Sequence, residues 1–148
     1  MLNKILIHQK MINLHQSNLM EETYSNLVDD LLNKIKNIKL KKYFIGIVGP
    51  PGSGKTTLVK EVADLLNKKI PNICSVIGMD GFHSYKSELD KMEDVKYAYR
   101  RRGSPFTFNS LAFYNLLLEV KKNNFGKAPS FDHKIGDPIE NDIIITEE

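Results

Sequence analysis

Residues 49–56 read Gly49-Pro50-Pro51-Gly52-Ser53-Gly54-Lys55-Thr56, and the apolar run Tyr43-Phe44-Ile45-Gly46-Ile47-Val48 stands directly before them. No other stretch constrains the fold as tightly. The run predicts a strand buried on both faces, and the stripe Leu58, Val59, Val62, Leu65 and Leu66 predicts an amphipathic helix from Thr56 to Lys68. The loop between them is therefore placed at a helix N-terminus. Glycines there let successive backbone N–H groups converge on one anion, and the helix dipole adds positive potential. Residues 49–57 thus read as a phosphate-binding loop for a nucleoside triphosphate. Lys55 is expected to reach the β and γ phosphates, Thr56 to hold Mg²⁺ through its hydroxyl, and Thr57 to donate to the α phosphate. A glycine-rich turn with a solvent lysine is the alternative, and the complete motif in its strand–loop–helix setting weighs against it. The motif does not name the reaction.

With 148 residues, 41% apolar and 26% charged, the chain fits one soluble globular domain. A net charge of +3 is too small to argue for a nucleic-acid or membrane partner. The single cysteine, Cys74, lies in an apolar stretch. It excludes a disulfide framework and fits a reducing, cytoplasmic compartment. No apolar run approaches the length of a membrane span. Residues 1–20 carry Lys4, His8, Lys10 and His15 before the first acid at Glu21, a faint likeness to an organelle presequence. Lacking arginine, residues 1–17 read instead as a loose N-terminal extension to a domain spanning 18–148.

From Asn18 onward Tyr24, Leu27, Val28, Leu31, Leu32, Ile35 and Ile38 recur at helical spacing, so a helix is expected to end near 37–42. Residues 73–79 predict a second strand whose carboxyl end delivers Asp80 to the sheet edge that carries the phosphate loop. Residues 81–108 are a polar and aromatic excursion with short helices expected around 87–92 and 95–101. Asn109 then caps a helix expected to carry Leu111, Tyr114, Leu117, Leu118 and Val120 on its buried side. Residues 128–140, with Pro129 and Pro138, read as an irregular connector. Ile143-Ile144-Ile145 predicts a third parallel strand over 142–146. The expected fold class is a three-layer α/β architecture, a parallel sheet with helices on both faces.

A carboxylate following a parallel strand suits a general base or a Mg²⁺ partner, although Asp80-Gly81 is also a common turn dipeptide. Arg100, Arg101 and Arg102 could grip a phosphate or carboxylate of a substrate, or form a solvated face. Tyr85, Tyr97 and Tyr99 either line a pocket or build the loop's own small core. Four segments occur in order: Gly49 to Thr56; Met79-Asp80-Gly81-Phe82-His83; Arg102-Gly103-Ser104-Pro105-Phe106-Thr107-Phe108-Asn109; and Pro129-Ser130-Phe131-Asp132-His133-Lys134-Ile135-Gly136-Asp137-Pro138. Together they resemble the uridine kinase, phosphoribulokinase and pantothenate kinase group of small-molecule P-loop kinases. The nearest likeness is to uridine-kinase-like ATP-dependent kinases of undefined substrate, and it covers about Leu27 to the last residue.

The resemblance implies a P-loop fold with the loop's strand at the centre of the sheet. It implies Asp80 as the catalytic base or Mg²⁺-associated carboxylate, with His83, His133 and Arg102 as substrate-site candidates. The family's acid at the end of the third strand falls on Glu147 or Glu148, and the choice stays open. Asn109 stands where the family usually has aspartate, and it caps a helix equally well. The family's further strands and lid are not in this sequence, which therefore reads as the N-terminal portion of such a kinase. The expected function is ATP- and Mg²⁺-dependent transfer of a phosphoryl group to a hydroxyl of a small metabolite, be it nucleoside, pantothenate or sugar-like. The alternative is a nucleotide-binding fragment or regulatory module without transferase activity. A P-loop enzyme acting on water would have no need of the Asp80–His83 and Phe131–His133 segments. The acceptor's identity and the oligomeric state stay open.

Overall fold

Tyr24, Val28 and Leu31 share one helical face, and that face packs on Val62 and Leu66 of a second helix to make a small core. Burying such side chains contributes roughly 1.5–3 kcal/mol each. The computed structural model that shows this describes residues 2–37 and 42–146, with side chains from residue 19 onward. The chain divides into two compact units, Met1–Cys74 and Ser75–Glu148.

The first unit consists of α1 (Leu2–Asn37), α2 (Lys55–Lys69) and the segments around them. Helix α1 starts well before Asn18 and runs through residues 2–17, the stretch read from sequence as a loose N-terminal extension. That stretch has no glycine or proline, so nothing in it breaks the backbone pattern begun downstream. Helix α2 matches its predicted span to within a residue at each end. Beyond it the chain turns at Asn72, φ 62°. The Asn67 side chain then holds Cys74 in an extended pose: Nδ2 donates to the Cys74 carbonyl at 2.9 Å and Oδ1 accepts from the Cys74 amide at 3.0 Å. An amide side chain here does what a neighbouring strand would do. An exposed ion pair, Lys69 to Asp29 at 2.7 Å, also ties α2 to α1.

The strands predicted at 43–48 and 73–79 form no ladder among the described residues. Tyr43, Phe44, Ile45 and Ile47 are over 40% exposed, and Val48 is 95% exposed. An apolar run encodes a tendency to be buried, but a strand exists only through partners, and the run does not specify them.

In the second unit a 3₁₀ turn (Met79–Phe82), α3 (Lys86–Leu89), α4 (Val95–Arg100) and a second 3₁₀ turn (Pro105–Thr107) lead into α5 (Ser110–Asn123). Asn109 caps α5 as expected, its side chain accepting from the Ala112 amide at 2.9 Å. The chain leaves α5 through Asn124 in the left-handed region and enters β1 (Gly126–Asp132), which pairs antiparallel with β2 (Asp137–Ile145). Leu116 and Val120 of α5 pack with Phe82, Ala128 and Ile145 into the core of this unit. Of the residues expected on the buried side of α5, Val120 is buried, whereas Leu111, Tyr114 and Leu118 are exposed.

The hairpin corrects two expectations. Residues 128–140 are not an irregular connector, and residues 142–146 belong to an antiparallel rather than a parallel pair. The turn is set by Asp132, whose Oδ1 accepts from the amides of Lys134 and Ile135 at 2.7 and 3.2 Å, while the Gly136 amide donates to the Asp132 carbonyl at 2.6 Å. Pro129 sits where the register shifts between Ala128 and Ser130, so its missing N–H breaks no regular ladder.

Candidate functional site

The phosphate loop is shaped by its glycines. Gly52 and Gly54 take φ values of 76° and 81°, a region costly for residues with a Cβ, and Gly54 leads directly into α2. The Ser53 amide donates to the Pro50 carbonyl at 3.3 Å, and the Leu58 amide to that of Gly54 at 2.9 Å. Lys55 folds back over the loop, its Nζ donating to the Pro50 carbonyl at 2.8 Å. The ammonium therefore lies over the same backbone that would curl around a phosphate. Thr56 and Thr57 are exposed at the first turn of α2, where the backbone amides have no helical acceptor.

Thr56 fits a role in holding Mg²⁺. Its hydroxyl is open, and Mg²⁺ commonly takes one or two protein oxygens beside phosphate oxygens and water. No cluster of three or more His, Cys, Asp or Glu suited to a metal occurs among the described residues. Glu147 and Glu148 lie outside the described residues.

In the second unit Asp80 stands in the Met79–Phe82 turn with its carboxylate 59% exposed. The next residue has to be glycine for a packing reason, because a Cβ on Gly81 would lie 2.2 Å from the carbonyl oxygen of Pro129 in β1. The turn is thereby pressed onto the hairpin. The other side of this segment is held by the Arg102–Asn109 stretch. The Asn109 amide donates to the Phe82 carbonyl at 2.7 Å, and the Ser84 amide to that of Thr107 at 2.8 Å. Fully buried Thr107 satisfies its own hydroxyl by accepting from the Gly103 amide and donating to the Ser104 carbonyl.

His83 is oriented by Asp80. Its Nδ1 donates to the Asp80 carbonyl at 2.9 Å and lies 3.7 Å from a carboxylate oxygen of the same residue. With Nδ1 as the donor, Nε2 of the neutral ring is the acceptor. The imidazole packs on Phe108 at 4.1 Å and on Phe131 at 5.1 Å between centroids. His133, in the hairpin turn, meets the other side of the chain of rings, edge-on to Phe131 at 5.1 Å. His83 and His133, singled out from sequence, thus meet at Phe131, and Asp80 joins them through His83.

Arg102 is placed differently from expectation. Nη1 donates to the Gly136 carbonyl at 2.5 Å, and Nη2 to the Ser84 carbonyl at 2.8 Å and to Asp137 Oδ1 at 3.1 Å. The guanidinium also lies 5.7 Å from the Phe131 ring centre. Both terminal nitrogens are engaged by the protein rather than offered to a ligand.

A groove of about 310 Å³ adjoins the cluster, lined among others by His83, Tyr85, Asn109, Leu116 and Glu140. The Tyr85 hydroxyl donates to Glu140 at 3.0 Å. Burial, and then that hydrogen bond, push its phenol above the ordinary tyrosine value of 10.0. Tyr99 is raised as well, first by its hydrogen bond to Asp90. Burial pushes the Cys74 thiol up. Tyr85, read from sequence as either a pocket residue or part of a loop core, lines the groove, whereas Glu140 and the ring contacts of Phe108 and Phe131 were not foreseen. Phe108 and Phe131 stood within the segments that carry the family resemblance, while Glu140 lay in a stretch read as an irregular connector.

Residues 44–147 match the profile of the Phosphoribulokinase / Uridine kinase family. A Schizosaccharomyces pombe protein named "Putative uridine kinase C227.14" is 38% identical over 128 residues, 84% of this chain and 52% of its own length. The ATP-dependent kinase YFH7 of Kluyveromyces lactis is 33% identical over 104 residues, 67% of this chain and 28% of its own length. The chain thus spans about half or less of these relatives. The crystal structure of YFH7 from Saccharomyces cerevisiae superposes with a TM-score of 0.71 at 18% identity, covering 84% of this chain and 70% of that one. That likeness shows the α/β P-loop fold. No helix among the described residues is long and apolar enough to cross a membrane.

Proposed function

The chain belongs to the phosphoribulokinase / uridine kinase family, and from that membership we propose that it carries out ATP- and Mg²⁺-dependent transfer of the γ-phosphoryl group to a hydroxyl of a small metabolite. The observation that carries this reading is the contact of Asp80 with His83 and the meeting of His83 and His133 at Phe131, a second polar site that a water-directed NTPase would not require. ATP is the donor, in keeping with the names of the relatives.

Lys55 binds the β and γ phosphates, the amides of the loop from Gly49 to Thr57 cradle them, and Thr56 holds Mg²⁺, which when bound offsets charge on the phosphate oxygens. Asp80 accepts the proton of the acceptor hydroxyl as that oxygen bonds to phosphorus and the bond to the ADP oxygen breaks. His83 holds the Asp80 segment in shape, and His133 faces the acceptor from the hairpin turn.

The test is a screen for ADP formation by the full-length protein across nucleosides, pantothenate, sugars and sugar phosphates. Asp80→Asn is expected to lower transfer about a thousandfold while leaving ATP affinity unchanged. Normal turnover by that variant would remove Asp80 from the role of base. A second reading, nucleotide binding without transfer, is favoured by the engagement of Arg102 with the hairpin, since it leaves that guanidinium unavailable to a phosphoryl group. ATP binding with no acceptor-dependent ADP formation would establish it.

A further inference from the structure

Three pieces of chain that are distant in sequence meet at one guanidinium. Arg102 follows α4, Ser84 closes the segment that begins with Asp80, and Gly136 and Asp137 form the end of the hairpin turn. Asp137 Oδ1 is shared, accepting also from the Lys86 amide at 2.9 Å, and the Lys86 ammonium donates to the Ile135 carbonyl. Phe131 lies under the guanidinium on one side and against both histidine rings on the others. The geometry points to Arg102 as a positioning residue: together with Asp137 it holds the hairpin turn, and so Phe131 and His133, in register with Asp80 and His83. This goes beyond the proposed reaction, in which Arg102 has no contact with either substrate.

Two features separate this role from general stabilisation. A lysine has the charge but cannot reach two carbonyls and a carboxylate at once, because those acceptors match the planar fork. The arrangement is also incomplete as a stability device, since Arg102 Nε is buried with no partner among the described residues. Only the two terminal nitrogens do the joining. Substituting Arg102 should therefore move the hairpin relative to Asp80 and leave the phosphate loop untouched.

The experiment is proton NMR of the histidine ring protons in the full-length protein, compared among wild type, Arg102→Ala, Arg102→Lys and Asp137→Asn. Expected are loss of the Phe131 ring-current shifts at His83 and His133 in Arg102→Ala, a smaller loss in Asp137→Asn, and no recovery in Arg102→Lys. Added guanidinium at low concentration restores the shifts of Arg102→Ala, whereas ammonium does not. Amide resonances of residues 52–57 stay in place, and ATP affinity changes less than twofold. If the kinase reading holds, acceptor KM rises about tenfold with kcat little changed; if it fails, the NMR result still decides the matter. Unmoved histidine resonances in Arg102→Ala, or recovery with lysine or ammonium, would overturn the inference. Should Arg102→Ala fail to fold, the same resonances in Asp137→Asn decide it.

Discussion

Between Gly49 and Leu58 each described hydrogen bond of the phosphate loop is local: Ser53 to Pro50, Lys55 to Pro50, Leu58 to Gly54. Around Asp80 the contacts join segments far apart in the chain. His83 meets Phe108 and Phe131, Ser84 and Gly136 meet Arg102, and Tyr85 meets Glu140. The first region depends on backbone conformation and the N-terminus of α2, which is held by its packing on α1. The second depends on tertiary packing of the whole hairpin. Damage to one should therefore spare the other, and single substitutions can test that separation.

Among substitutions that separate the two regions, Lys55→Ala should have the largest effect on ATP binding. Loss of a charged donor to the phosphates weakens ATP binding roughly 100-fold, read by calorimetry, while the ring protons of His83 and His133 keep their positions. A parallel shift of those protons would show that the two regions are not independent. Gly81→Ala strikes the other side, since a methyl group cannot share space with the Pro129 carbonyl. A loss of about 2 kcal/mol in the unfolding of the second unit is expected, measured by urea titration with ATP affinity as the control.

The smallest effect concerns pH. The Tyr85 phenol is raised above 10.0 in the folded state, so its contribution to stability is full below pH 10 and fades as pH rises through the folded value. Glu140→Gln removes the carboxylate that helps raise it and should lower the midpoint. Absorbance at the phenolate band, with Tyr85→Phe subtracted, reads the change.

The same contrast explains what could be read from sequence. Gly52, Gly54 and Lys55 announce themselves because each acts through its own backbone or a near neighbour. Asn109 was legible as a cap for the same reason. The hairpin was hidden because Pro129 and Pro138 argue against a strand, and only the bulge beside Pro129 makes room for it. Arg102 misled in a different way. A guanidinium prefers planar oxygen pairs, and the sequence does not reveal that Gly136, Ser84 and Asp137 provide them from within the protein. The runs at 43–48 and 73–79 carry the composition of buried strands, yet their partners are non-local, so the apolar pattern alone could not place them in a ladder.

Asn67 holds Cys74 by both backbone groups, and the surrounding burial disfavours the thiolate. The consequence is practical. The single thiol of this chain reacts slowly with maleimides near neutral pH, so a cysteine placed on the exposed hairpin turn by Lys134→Cys can be labelled in preference to Cys74. A fluorophore there would report movement of the turn in real time.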